Sequence, residues 1–231
     1  MRALLQADGP HVVVDDLDRL DLADADHHHL TRALRLRAGD PLTATDGRGH
    51  WRQCQLGRSG SSLLEALGEI HTELPPTPPI AVGFALVKGH KPELVVQKLT
   101  EIGVDTIQPF VAERSIVKWD EAKRAAALER LTRVAREAMM QSRSVWSPSI
   151  EPILDFADMV GRSEPALLRA DFGGEQPRLD GAMVIVGPEG GWSSAECERV
   201  PEAVTLGDKV LRAETAAIVI GARLAALRHL S

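Results

Sequence analysis

The segment Leu74–Pro79 reads LPPTPP, four prolines in six residues. Each proline fixes its own φ and lacks an N–H, so neither a helix nor a central strand runs through such a stretch; an extended, stiff spacer is favoured. The hydrophobic pattern also changes across it. Before it, HVVV (11–14), DPLTATDG (40–47) and HWRQCQL (50–56) are short stretches separated by glycine-containing turns, the pattern of a small all-β unit, with Asp46-Gly47 as a plausible hairpin turn. Between them HHHLTRALRLRAGD (27–40) places Leu30, Ala33, Leu34 and Leu36 at helical spacing and predicts a short helix ending near Gly39.

After the spacer, apolar strands alternate with helices, the pattern of a largely parallel sheet. Strands are expected over 80–87, 105–111, 165–170, 182–187 and 203–206. PELVVQKLTEI lies between Pro92, suited to a first helical turn, and Gly103, suited to a left-handed C-terminal position. A second helix over 121–142 sets Leu128, Leu131, Val134, Ala135, Ala138 and Met139 on one face. A third is expected from Ser193, with Glu196 completing a capping box, and the last, 213–230, is apolar over much of its surface. The division expected is a β unit over 1–73, a spacer over 74–79 and an α/β domain over 80–231.

Hydrophobic residues at 44% and charged residues at 26% of 231 exclude a disordered chain. A net charge of -6 weighs against a polyanionic partner, and 3% aromatics with no tyrosine exclude a platform that stacks several bases. The average conceals a polarity, however. Seven acids fall in the first 30 residues, whereas 31–58 holds six arginines against two acids and 112–143 holds eight Lys or Arg against five. Taken singly, each of these cations reads as a solvated surface charge. Cys54 and Cys197 are far apart and read as packing residues in a reducing compartment. MRALLQADGPHVVVDD meets acids before any apolar stretch of signal-peptide length, and AAIVIGA (216–222) is too short to span a bilayer, so a soluble, cytoplasmic protein without membrane partners is expected. His27, His28 and His29 are adjacent and would point in different directions on a helix, so no metal site is expected.

Two segments carry chemistry. In MVIVGPEGGWSSAE (183–196) a buried strand leads through Gly187-Pro188-Glu189-Gly190-Gly191 into a capped helix. The glycines let backbone approach a ligand closely, and N–H groups at the helix start favour an electron-rich group. A strand, glycine loop and helix in this order make a site at the carboxyl end of a sheet, with an ordinary tight turn as the competing reading. Neither GxGxxG with a downstream acid nor GxxxxGK[ST] is present. In VTLGDKVLRAETAAIVIGARL (204–224), Arg212 and Glu214 sit beside a glycine-containing loop where catalytic groups are often placed; an acid near a helix's positive end is the alternative.

GPEGGWSSAE followed by LGDKVLRAETA resembles the RsmE family of ribosomal RNA methyltransferases, of the SPOUT superfamily. KGHKPELVVQKLTEIGVDTIQPFVAERSIVKW (88–119), REAMMQSR (136–143) and HHHLTRALRLRAGD (27–40) extend the resemblance over most of the chain. It implies an α/β protein with an N-terminal PUA-like β-barrel that binds RNA and a C-terminal SPOUT domain with a trefoil knot. It further implies a homodimer that uses S-adenosylmethionine to methylate N3 of a uridine in 16S ribosomal RNA of the small subunit. No metal is required. Alternatives are a related enzyme acting on a ribose 2′-hydroxyl and a non-catalytic RNA-binding assembly factor.

By that resemblance the cofactor is held by Gly187, Pro188, Glu189, Gly190, Gly191, Leu206, Gly207, Val210, Leu211, Arg212, Thr215 and Ala216, with Leu167 and Leu168 as a third wall. Uridine N3 must lose a proton before it attacks, which assigns an electrostatic role to Arg212 and proton acceptance to Glu189 or Glu214. RNA is expected on His29, Arg32, Arg35, Arg37, Lys88, Lys91, Arg114, Arg133, Gln141 and Arg143. The family often has its arginine three residues after the glutamine of the Gln-Ser segment, whereas Arg143 is two after Gln141.

Overall fold

A computed structural model describes residues 4, 7–58, 63–117 and 119–230. Lys118, counted above among the cations of 112–143, lies outside them. Contacts group the chain into two units: Met1–Pro75 with Arg136–Ser147, and Pro76–Ala135 with Pro148–Ser231.

The first unit holds β1 (His11–Val13), β2 (Pro41–Thr45), β3 (His50–Leu56), β4 (Leu64–Ala66) and β5 (His71–Thr72) in one sheet. The order is β1-β2-β3-β4, parallel for β1 with β2 and antiparallel beyond, with β5 also pairing β3. Its core joins Val12, Leu30, Leu42, Ala44, Cys54, Leu56 and Leu64. Cys54 is fully buried, and burial pushes its thiol up to about 11, which makes it a packing residue. The expected helix over 27–39 is displaced: α1 (Asp24–His28) continues as a π-helical turn over His29–Ala33, and Arg35 then takes a left-handed φ of 58°. The chain is therefore out of the helix well before Gly39, although Leu34 and Leu36 extend the apolar period.

In the second unit the strands are β6 (Ala81–Ala85), β7 (Thr106–Val111), β8 (Ser149–Ile150), β9 (Leu154–Asp155), β10 (Leu167–Glu175), β11 (Met183–Val186) and β12 (Ala203–Val204). All pair in parallel, in the order β12-β10-β11-β6-β7-β8, with β9 also on β7. The helices are α2 (Lys91–Ile102), α3 (Glu121–Ser142), α4 (Phe156–Val160), α5 (Ser194–Arg199) and α6 (Ala213–Leu230). A strand alternates its side chains between faces, so the wholly apolar β11 feeds two cores. Val184 and Val186 join a core with Val96, Leu99, Leu131, Ala217 and Ile220 of α2, α3 and α6. Met183 and Ile185 join another with Phe110, Phe156, Met159 and Val200. The unit is thus a parallel sheet covered on both faces. Gly221 allows α6 to approach α2, since a Cβ there would lie 2.5 Å from Leu99 Cδ2.

The helix α3 crosses the division between units: residues up to Ala135 group with the α/β unit, whereas Arg136 onward groups with the β unit. Arg136 pairs with Asp26 at 2.5 Å and donates to Val13 O at 3.0 Å. Arg143 donates to Leu4 O at 3.2 Å, Ala7 O at 3.1 Å and Gly9 O. No helix among the described residues is long and apolar enough to cross a membrane. Nor does any group of three or more His, Cys, Asp or Glu among them stand close enough to hold a metal ion.

Candidate cofactor pocket and RNA-facing groups

A pocket of about 200 Å³ opens at the carboxyl end of β11, where β10 leaves its pairing with β11 after Ala170. In a parallel sheet such ends leave backbone groups and loops free to meet a ligand. Ala170, Asp171 and Phe172 form one wall, and Val186, Gly187, Pro188, Glu189, Gly191 and Trp192 a second. Leu206, Gly207, Lys209, Val210, Leu211, Ala213 and Ala216 close it.

The glycine loop is both a tight turn and a pocket wall. Gly191 N–H donates to Pro188 O at 2.9 Å, and Gly191 takes a φ of 69° that disfavours any side chain. Gly187 is required by packing: a Cβ there would sit 2.9 Å from the Trp192 indole. Trp192 donates Nε1–H to Ala170 O at 3.1 Å and stacks on Phe110, so it ties the loop to β10. The helix start that follows does not serve the pocket as the sequence suggested. Ser193 Oγ accepts from Glu196 N–H at 3.2 Å and Glu196 Oε2 accepts from Ser193 N–H at 2.9 Å, so the capping box takes up those groups itself.

Of the expected cofactor residues, Gly187, Pro188, Glu189, Gly191, Leu206, Gly207, Val210, Leu211 and Ala216 line the pocket. Gly190, Arg212 and Thr215 neighbour that lining without belonging to it. Leu167 and Leu168 also stand off it, for a reason of register. Leu167 pairs with Met183 and Leu168 with Val184, whereas the glycine loop begins after Val186, whose partner on β10 is Ala170. The third wall therefore comes from Ala170 and Asp171, with Phe172 at the solvent-open rim of the lining. Sequence reasoning missed Ala170, Asp171, Phe172, Val186, Trp192, Lys209 and Ala213; the first three follow from the register of β10 against β11, which no local pattern encodes.

The expected catalytic groups fall into two settings. Lys91, at the start of α2, lies 2.9 Å from Glu189 and 3.4 Å from Glu214. The Lys91 ammonium thus bridges the glycine loop and the first turn of α6, two segments that sequence places far apart. Its bond to Glu189 offsets the desolvation of that carboxyl and holds it below its ordinary value, while the carboxylates raise Lys91. The Glu214 side chain is 12% exposed, and its Oε2 is buried without a hydrogen-bond partner among the described residues. Arg212 is exposed and has neither an ion pair nor a side-chain hydrogen bond among the described residues.

The expected RNA contacts also divide. His29, Arg32, Arg35, Arg37 and Gln141 in the first unit, and Lys88 and Arg133 in the second, are exposed and unpaired among the described residues. Lys91 is held by two carboxylates, Arg114 donates to Gly190 O at 3.2 Å, and Arg143 is engaged by three carbonyls. Arg143 is therefore a clamp on the start of the β unit.

A parallel sheet with a glycine-walled pocket at its strand ends defines an α/β protein with a small-molecule site. The pattern of an RNA methyltransferase domain matches residues 74–225, and that of an RNA methyltransferase PUA domain matches 22–66. Ribosomal RNA small subunit methyltransferase E of Synechocystis sp. is 34% identical over 226 residues, covering 89% of this chain and 72% of that protein. The protein of that name from Bacillus subtilis is 30% identical, covering 88% of each chain. The crystal structure of ribosomal RNA small subunit methyltransferase E from Neisseria gonorrhoeae, bound to S-adenosyl methionine, superposes with a TM-score of 0.82 at 27% identity, covering 93% of this chain and 96% of that one. The chain belongs to the ribosomal RNA small subunit methyltransferase E family.

Proposed function

We propose that the chain transfers a methyl group from S-adenosylmethionine to N3 of a uridine in 16S ribosomal RNA of the small subunit. The observation that carries this reading is the pocket at the carboxyl end of β11, walled by the glycine loop and the segment leading into α6, in a chain of this family. The lining fits such a donor. Val186, Leu206, Leu211, Ala213 and Ala216 offer apolar surface, glycines expose backbone groups, and Asp171 and Glu189 supply negative charge toward a cationic sulfur. When bound, S-adenosylmethionine supplies a methyl group already activated by positive sulfur, so the protein's task is alignment and exclusion of water.

In this reading the backbone of Gly187–Gly191 and Leu206–Ala216 holds the donor. Uridine N3 becomes nucleophilic when its proton leaves, and a carboxylate in reach accepts it. Glu189 lines the pocket and stays ionised through its bond to Lys91. Glu214 shares the same cation and has one oxygen without a hydrogen-bond partner among the described residues, so the two acids remain alternative acceptors. Arg212, exposed and unpaired, is assigned to the charge that develops on the uracil ring. The exposed cations of 31–37, with Lys88 and Arg133, grip RNA phosphates.

The same reading takes residues 1–73 as a PUA-like β-barrel for RNA, 74–79 as its spacer and 80–231 as a SPOUT domain. There the glycine loops and α6 form a trefoil knot, and the enzyme works in the cytoplasm as a homodimer. The decisive experiment is nucleoside mass spectrometry of small-subunit RNA from a deletion strain, paired with titration of the purified protein by S-adenosylhomocysteine. 3-Methyluridine is expected to be missing and to return with the gene. A missing ribose methyl instead would reassign the acceptor, and RNA binding without affinity for S-adenosylhomocysteine would reject catalysis.

A further inference from the structure

All four phenylalanines and four tryptophans lie among the described residues, and seven of these rings are buried or half-buried. Phe172 is the exception: it is 58% exposed, and it lines the pocket. An exposed phenyl ring forgoes much of the gain of burial, so its backbone setting matters. That setting is built. Ala170 and Glu175 of β10 both pair with Val204 of β12, so residues 171–174 bulge out between them. A bulge re-aims the side chains of the strand that carries it, and bulges recur beside active sites. Gly173, at a φ of 74°, permits the turn, and a Cβ on Gly174 would strike the Ala203 backbone at 2.5 Å.

The bulge is also braced. Arg169 donates to Val200 O at 2.9 Å and pairs with Asp171, and Asp171 Oδ1 accepts from Phe172 N–H at 2.8 Å. The ring is thus presented at the pocket from a fixed backbone while remaining open to solvent. Val210, 86% exposed, is a second bare apolar side chain on the same lining.

We propose that Phe172 is the surface on which the target base stacks when it leaves the RNA. This rests on the reading of the pocket as the donor site of a base methyltransferase. Transfer requires the acceptor atom to come within about 3–3.5 Å of the methyl group, so the base must leave its neighbours and enter the mouth of the pocket. A base taken out of its stack loses π contacts on both faces, and an aromatic ring at the mouth replaces one of them. The inner residues Val186, Ala213 and Ala216 are buried or nearly so and suit the donor; the exposed ring suits a group that arrives from outside.

The test compares wild type with F172A, F172L and F172W, using undermethylated small subunits from a deletion strain as substrate. Stacking on one base is worth about 1–3 kcal/mol, which centres the expected loss of kcat/KM in F172A near thirtyfold. F172W should stay within about threefold of wild type, and F172L, apolar without a π face, should fall with F172A. S-Adenosylhomocysteine affinity by calorimetry and sedimentation velocity should be unchanged in all three. The proposal is overturned if F172A weakens S-adenosylhomocysteine binding as much as it slows methylation, because the ring would then belong to the donor. It is equally overturned if the variants change oligomeric state, if F172L matches wild type, or if F172A loses nothing. Mass spectrometry of the wild-type product separates this from the underlying reading: a methyl group on ribose would refute base methylation whatever the order of the variants.

Discussion

His11 is the most strongly perturbed imidazole, and it should make the β unit acid-sensitive. It is 5% exposed, with Nε2 3.2 Å from Ser144 O and Nδ1 2.8 Å from Thr43 Oγ1. A carbonyl only accepts, so the neutral ring carries its proton on Nε2 and takes the Thr43 hydroxyl proton at Nδ1. Burial is the largest cause that lowers its pKa to about 4 from 6.5; the Arg143 charge adds to it, and the Ser144 bond opposes it. The unfolded chain binds this proton below about pH 6.5 and the folded chain only below about pH 4, so stability falls as pH drops through that window and levels off beneath it. At about 1.4 kcal/mol per unit, the full effect is about 3.5 kcal/mol, of which about 2 kcal/mol is lost between pH 7.5 and pH 5. Urea unfolding in a W119F/W192F background leaves Trp51 and Trp146 to report on this unit. H11Q should cost stability at pH 7.5 yet lose about 2 kcal/mol less than its parent on going to pH 5. Parallel losses in the two proteins would show that His11 does not carry the acid sensitivity.

Four further outcomes follow from the contacts. Lys91→Met should move the titration of Glu189, read by carboxyl ¹³C NMR, upward, because the cation that holds it low is gone, and Lys91→Arg should largely restore it; an unmoved titration would deny the ion pair. Gly187→Ala places a Cβ 2.9 Å from the Trp192 indole, and overpacking of about 1–3 kcal/mol should cost roughly tenfold in S-adenosylhomocysteine affinity by calorimetry. Glu196→Ala strips acceptors from the Ser193 and Glu113 N–H groups and should destabilise the α/β unit by about 2–4 kcal/mol in urea, with E196Q keeping part of that. Arg143→Met should destabilise the β unit without changing the salt dependence of RNA binding, whereas Arg35→Ala should flatten that dependence by about one ion.

The fold was legible wherever an element is long enough to carry a period. α3 and α6 begin and end where their apolar stripes do, and β3 spans the whole of HWRQCQL. β8, β9 and α4 are two to five residues long and have no period to read. β10 runs on to Glu175, past the expected end at 170, because Gly173 and Gly174 sit in a bulge within the strand. The division inside α3 was hidden for the opposite reason, since one continuous stripe serves contacts in two units. At the site, glycines announced the two loops because few other residues meet their backbone demands. The partners of those loops were not legible: Lys91 meets Glu189 across 98 positions, and no local spacing encodes that contact.

Charge shows how a chain of net -6 can still present cations to RNA. Its basic side chains sort by whether the fold supplies a nearer acceptor. Arg136 and Arg143 are drawn onto Asp26 and onto main-chain carbonyls, and Arg124, Arg130 and Arg228 onto Asp155, Glu93 and Asp105. Such groups add nothing to phosphate binding without first giving up those bonds. Arg32, Arg35, Arg37, Lys88 and Arg133 have no such acceptor among the described residues. At about 0.7 counterion released per neutralised phosphate of a single strand, these five cations set a salt slope near 3.5 when all engage. A local sum of charge in sequence overstates that number, because it counts guanidinium groups that already hold the protein together.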